Sequence, residues 1–450
     1  IAAILVSKLC NFSRKYNTYV FSLQIHRFFM KKFSCALLPL SLIAAMSDLH
    51  AQDAFSPTSQ YAFGDWNGQR TELSKQGVKI EANLVTDTAY LANGGRDEDH
   101  GALTSAQLWL GTQLDMQKLV GWDGVTVRAV MTARQGQSTS IEYLQDPAAP
   151  HMANVQGTFG RGNQDSRLTE LSLEKKFEQG TSVKVGRLGL GMDFNVMACD
   201  FASTAFCAAQ MGKWQGNIWM NTPVAQWGAR IKHSLSPELA LQVGVYEFNP
   251  DNGNGKAEGQ GWSLDTDHAD GVTIPAEVVW TPKSAVNGLP GSYRVGAMYN
   301  TADDLANQKD VANTTDAKNR TFAGWLAVEQ QLTSTGKGRQ GLHSFANFTW
   351  HDRITNKVDN SQQVGVKYIG LVDSQPNDIL GLAVNRVHVN DRLNQQTFDA
   401  SAEYNVELNY SYNATPWLML RPNLQYVINP GSTNRVDDAF VLGLSTRVIF

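Results

Sequence analysis

From residue 78 onward, apolar and polar positions alternate with a period of two, in segment after segment of about ten residues. The clearest run covers 398–414. There Phe398, Ala400, Ala402, Tyr404, Val406, Leu408, Tyr410 and Tyr412 alternate with Asp399, Ser401, Glu403, Asn405, Glu407, Asn409, Ser411 and Asn413. One face is apolar and the other wholly polar. A soluble sandwich strand would show the same alternation, but this run exceeds the usual five or six residues and is long enough to cross a bilayer at a tilt.

Similar runs occupy 78–91, 124–134, 169–177, 226–235, 239–248, 273–280, 292–300 and 439–450. Weaker segments bring the total to about sixteen, an even number within the range of single-chain outer-membrane barrels. The connections alternate in length. Long ones fall near 92–102, 135–166, 190–223, 249–270 and 301–319, and short ones at 178–180, 234–238, 372–377 and 414–416. The pattern predicts an all-β fold: an antiparallel transmembrane barrel with short periplasmic turns, long outer loops and both termini inside. The last residue, Phe450, is then the end of the closing strand.

Composition agrees with this reading. The chain has 450 residues, 42% hydrophobic and 18% charged, with net charge -4. That excludes a helical membrane protein but not a barrel, whose strands average out as half polar. The one longer apolar run is N-terminal: Met30-Lys31-Lys32 is basic, 33–46 is apolar, and Leu49-His50-Ala51 precedes Gln52. Residues 30–51 therefore read as a cleaved signal peptide. The chain opens on Ile1, so 1–29 are expected to lie upstream of the natural start at Met30. Residues 52–77 form a periplasmic segment with a short helix over 69–76, stopped by Gly77, and 78–450 form the barrel.

Without residues 1–51 only Cys199 and Cys207 remain. In an exported chain they predict a disulfide, with two free thiols as the alternative. Two isolated sulfurs fall short of the four-ligand set that zinc prefers.

The opening Gly64-Asp65-Trp66-Asn67-Gly68-Gln69-Arg70 resembles the start of the carbohydrate-selective porins of the OprB type. The resemblance continues at Gly186-Arg187, Cys199-Asp200-Phe201, Phe206-Cys207 and Trp227-Gly228-Ala229-Arg230. It closes at Pro416-Trp417, at 421–426 and at Asn429-Pro430-Gly431. Asn67 stands where the family usually has Gly, and Ser445 follows Gly443-Leu444 where Arg is expected. The resemblance implies passive, carbohydrate-selective diffusion of sugars such as glucose into the periplasm of a Gram-negative cell, with no cofactor, metal or nucleic acid. The partners are then the transported sugars and outer-membrane lipid, and monomer and homotrimer both stay open.

In porins the third outer loop, here 190–223, commonly folds inward and narrows the channel. That places the cysteine pair at a constriction, with Phe201, Phe206, Trp214 and Trp219 in the same stretch. Sugars present apolar C–H faces and hydroxyls, so their pathway wants aromatic surfaces beside charged donors and acceptors. The polar faces of the early strands supply Glu81, Arg128, Arg134, Glu170, Glu174, Lys184, Arg230 and Lys232. Both signs are present, which suits a neutral polyol. The plainer reading is solvated charge on a wet wall, and a general or anion-preferring porin on the same fold is the alternative function. Trp227, Trp280, Tyr410 and Tyr412 are expected in the interfacial girdles. An enzyme finds little support, since His-Glu-x-x-His, Gly-x-Ser-x-Gly and phosphate-loop motifs are missing. Only a barrel hydrolase using His233, His343, His351 or His388 stays conceivable.

Overall fold

The computed structural model describes residues 54–96, 101–146, 153–159, 164–215, 218–253, 260–303, 308–393 and 401–450. The expected upstream segment 1–29, the expected signal peptide 30–51 and the first residues of the 398–414 run lie outside these. Sixteen strands, from β1 (Val78–Gly95) to β16 (Asp437–Ile449), each pair antiparallel with the next. β1 then pairs with β16, from Asn83 opposite Ile449 to Gly95 opposite Asp437, and the sheet closes.

Alternation sets the two faces of the wall, and burial is inverted relative to a soluble protein. On β14 (Ala402–Thr415), Glu407 is fully buried while its neighbour Leu408 is 42% exposed. Val243, Val295, Val364, Leu382, Leu424 and Leu442 are likewise exposed and form the outward apolar belt. Tyr299, Phe322, Trp350 and Tyr426 mark the long-loop end of that belt. Trp280, stacked on Tyr293 at 4.9 Å, and Tyr412 mark the short-turn end.

The strand boundaries follow the sequence pattern closely, as with β6 (Gln226–Ser234) and β7 (Leu239–Glu247). The short turns hold elements that period-two alternation could not show. Among them is a one-turn helix, Met116–Val120, whose N–H groups at Gln117 and Lys118 donate to Asp115 Oδ1.

The N-terminal segment packs at the short-turn end. Helix α1 (Gln69–Lys75) ends at Gly77, whose φ of 99° is open to glycine at no steric cost. Arg70 is buried over the Tyr61 ring at 3.4 Å and donates to Ile80 O. Phe63 stacks on Phe450 at 5.0 Å, Ala62 N–H donates to Ile449 O, and Trp417 Nε1 donates to Ser56 O. The segment thus covers the place where the first and last strands meet.

Candidate functional site: the channel and its inward loop

The connection between β5 (Thr181–Leu188) and β6 spans 189–225 and lies inside the barrel, held by lumen-facing side chains from strand after strand. Asn195 N–H donates to Glu277 on β8 (Val272–Trp280) at 3.0 Å. Ala198 N–H donates to Glu329 on β10 (Thr321–Gln331) at 3.2 Å. The Asp200 carboxylate pairs with Lys367 on β12 (Val358–Ile369) at 2.7 Å. Ala202 and Ser203 N–H both donate to Glu407 at 2.8 Å, and Arg421 on β15 (Leu418–Ile428) donates to Phe201 O. These bonds satisfy backbone groups that a buried, irregular loop cannot pair by itself.

The second long loop fills the adjoining space. Asn154 and Thr204 exchange bonds between the two loops, Ala153 N–H donates to Glu403, and Thr158 N–H donates to Asp87. In the inward loop, burial disfavours the charge of Asp200, but Lys367, with Arg421 and Arg339, holds its carboxyl below the ordinary range.

Cys199 and Cys207 are joined by a disulfide that closes a short ring within the loop. Phe201, Phe206, Trp214 and Trp219 are each no more than 4% exposed. Phe201 meets Phe206 at 5.3 Å and Phe345 at 5.4 Å, and Trp219 meets Trp325 edge-on at 5.5 Å. The structure therefore packs these four rings against the wall as anchors of the loop. An aromatic side chain on a loop gains more from such burial than from facing water.

Six of the eight charged residues named on the early strands, all but Arg134 and Lys232, come together in one chain of ion pairs. Glu81 on β1 meets Arg128 on β3 (Val125–Gly136) at 2.6 Å, and Arg128 meets Glu170 on β4 (Gln164–Lys176) at 2.7 Å. Lys184 on β5 follows at 3.1 Å from Glu170 and 3.5 Å from Asp193. Arg230 on β6 bridges Asp193 and Glu174 at 3.6 and 2.8 Å. Asp193 belongs to the inward loop, so the wall network and the loop share one set of charges. Arg134, further along β3, donates to Gln107 at 2.7 Å.

Sequence reasoning passed over Asp193, one polar residue of a long loop, and Glu277, Glu329, Lys367, Glu403 and Arg421, each one polar residue among many on a lumen face. It also passed over Trp109 on β2 (Ala102–Asp115), whose ring lies 5.7 Å from the Arg128 guanidinium. The four histidines have ordinary partners. His351 bonds Gln215 and Thr349, His233 bonds Thr181, His343 bonds Arg339 O, and His388 bonds Asp359.

A closed sixteen-stranded barrel with an apolar outer belt, a polar interior and an inward third loop defines an outer-membrane diffusion channel. The model of the family "Carbohydrate-selective porin, OprB family" matches residues 99–450, and the chain belongs to that family. It is similar to Porin B of Pseudomonas aeruginosa, with 39% identity over 92% of this chain and 96% of the relative. It also resembles a protein described as putative porin QuiX of Acinetobacter baylyi, with 37% identity over 93% and 99% of the two chains. A solved structure of Pseudomonas putida OprB at high pH superposes with a TM-score of 0.83 at 40% identity, covering 88% of this chain and all of that one. The protein is a carbohydrate-selective porin of the outer membrane, a channel and not an enzyme.

Proposed function

We propose that sugars of the size of glucose pass beside the inward loop, along the wall of β1 to β6 that carries the ion-pair chain. Arg128, Glu170, Lys184, Asp193 and Arg230 form the hydrogen-bonding rail, with Glu81 and Glu174 as its ends, and Arg134 lies further along β3. Trp109 supplies the apolar face against which a pyranose ring slides. Phe201, Phe206, Trp214, Trp219 and the Cys199–Cys207 bridge act indirectly, by fixing how far the loop reaches into the channel.

The observation that carries this reading is the pairing of opposite charges along the rail. Paired charges give a solute strong donors and acceptors without a net field of one sign, which favours a neutral polyol over an ion. Their mutual bonds also fix the side chains before a solute arrives, so less ordering is needed on binding.

The test is single-channel conductance of the mature protein in a planar bilayer, titrated with glucose and then with a neutral polyol of similar size. Saturable block by glucose at low millimolar levels, weakened about tenfold by Trp109→Ala or Arg128→Gln, is the expected result. Stable conductance without block would instead assign general diffusion, and a strong preference for anions in reversal-potential measurements would assign the anion-preferring alternative.

A further inference from the structure

The outward aromatic girdle at the long-loop end is interrupted on β12 and β13 (Ile379–Val389). Val364 and Val384 face each other across this pair on the lipid side, and both are exposed. The next outward pair toward the long loops, about 7 Å further along the strands, is Gln362 opposite Arg386, and the one after that is Asn360 opposite His388. The neighbouring strands place aromatics at the same levels. Phe348 lies opposite Gln362, Trp350 opposite Asn360, and Tyr404 opposite Arg386.

An arginine in this position needs a partner. Arg386 Nη1 donates to Asn360 Oδ1 at 3.2 Å and to Gln362 Oε1 at 3.0 Å, both of them neutral amide oxygens. The nearby carboxylates are engaged elsewhere: Asp359 with His388 at 2.6 Å and with Arg353 at 3.5 Å, and Asp391 with Arg353 at 3.2 Å. Among the described residues Arg386 forms no ion pair. The two amides hold the guanidinium against the wall, and among the described residues no carboxylate pairs with its charge.

We infer that Arg386, held by Asn360 and Gln362 above the exposed Val364–Val384 pair, binds the phosphate of an outer-leaflet glycolipid whose acyl chains lie along the valines. A guanidinium matches a phosphate with two parallel charge-assisted bonds, and an interfacial site of low dielectric strengthens them. Basic residues at membrane headgroup level recognise anionic lipids by the same chemistry. The apolar rungs below fix which way the lipid enters.

The experiment is native mass spectrometry of the protein refolded in mixed micelles and offered a diphosphorylated glucosamine-disaccharide glycolipid, its dephosphorylated analogue, phosphatidylcholine or inorganic phosphate. Wild type should retain the phosphorylated glycolipid with about tenfold higher occupancy than the analogue, and Arg386→Gln should lose that preference while keeping its single-channel conductance. Occupancy of the phosphorylated glycolipid in Arg386→Gln as high as in wild type overturns the inference, as does inorganic phosphate displacing the lipid mole for mole, which would leave a free-phosphate site. A change in oligomeric mass with unchanged lipid occupancy overturns it too, by making the patch a contact with a second copy. Should Arg386→Gln fail to refold, Arg386→Lys keeps the charge and removes the fork. Undiminished occupancy there sinks the bidentate recognition.

Discussion

Glu407, fully buried on the inner wall, accepts the backbone N–H groups of both Ala202 and Ser203 at 2.8 Å. One carboxylate on β14 thereby fixes the turn of the inward loop that follows Asp200. Hydrogen bonds to a charged acceptor contribute about 1.5–3 kcal/mol each, and leaving the two N–H groups unpaired costs a similar amount. Glu407→Ala is expected to free this stretch of loop, raising single-channel conductance and its open-channel noise while the barrel still resists unfolding in cold detergent. Unchanged conductance and noise would show that the other tethers suffice.

The Asp200–Lys367 pair sets a pH limit. The folded carboxyl titrates below its ordinary value of about 3.9, so its contribution is complete above that value and is lost as the pH falls through the lower folded one. Conductance is therefore expected to hold steady from neutral pH to about pH 4 as far as this pair is concerned, and to change only below it. Asp200→Asn should remove that acid transition. A wild-type transition that survives in the variant would assign it to another group.

The disulfide constrains a short segment of the same loop. Chain-entropy reasoning for so short a ring gives roughly 2–3 kcal/mol, drawn from the freedom the open loop would have. Mass spectrometry of unreduced, alkylated protein should find neither Cys199 nor Cys207 labelled. Replacing both by serine should broaden the distribution of conductance levels without lowering the temperature at which the barrel itself unfolds. Two alkylated thiols in the native protein would mean that the bridge does not form.

At the other end of the molecule, Phe63 covers Phe450 and the seam between β1 and β16. Removing a fully buried ring costs about 3 kcal/mol or more, and the half-buried Phe63 ring is expected to cost less. Phe63→Ala should lower the temperature at which the folded, fast-migrating form is lost on denaturing gels, with glucose block unchanged. An unaltered transition would place the weak point of the barrel elsewhere.

Alternation made the wall legible in the sequence, because a period of two places every residue on one face or the other and a one-residue slip exposes the whole set. The runs at 226–235 and 239–248 accordingly agree with β6 and β7 to within a residue at each end. The inward loop was also legible, as a long third connection with two cysteines and several aromatics. What alternation could not convey is which polar wall residues serve the loop and which face the channel. Glu403 and Glu407 look like Glu170 and Glu174 in sequence, yet the first two hold loop backbone and the others join the ion-pair rail. That distinction depends on loop residues remote in the chain, Ala153 for Glu403 and Ala202 and Ser203 for Glu407. Asp200 carried one signal, its place beside Cys199 and Phe201 in a family motif. Trp109 carried none, because an aromatic on a barrel strand reads first as a membrane-girdle residue.

The inward loop leaves the wall after β5 and rejoins it at β6, while its fastenings reach to β15. During synthesis the loop exists long before Glu407 and Arg421 emerge to receive it. A barrel missing its last strands would have the loop but not the means to park it, and its opening would be of no defined width. Sieving is thus a late-acquired property of this molecule, gained only when the final quarter of the chain is in place.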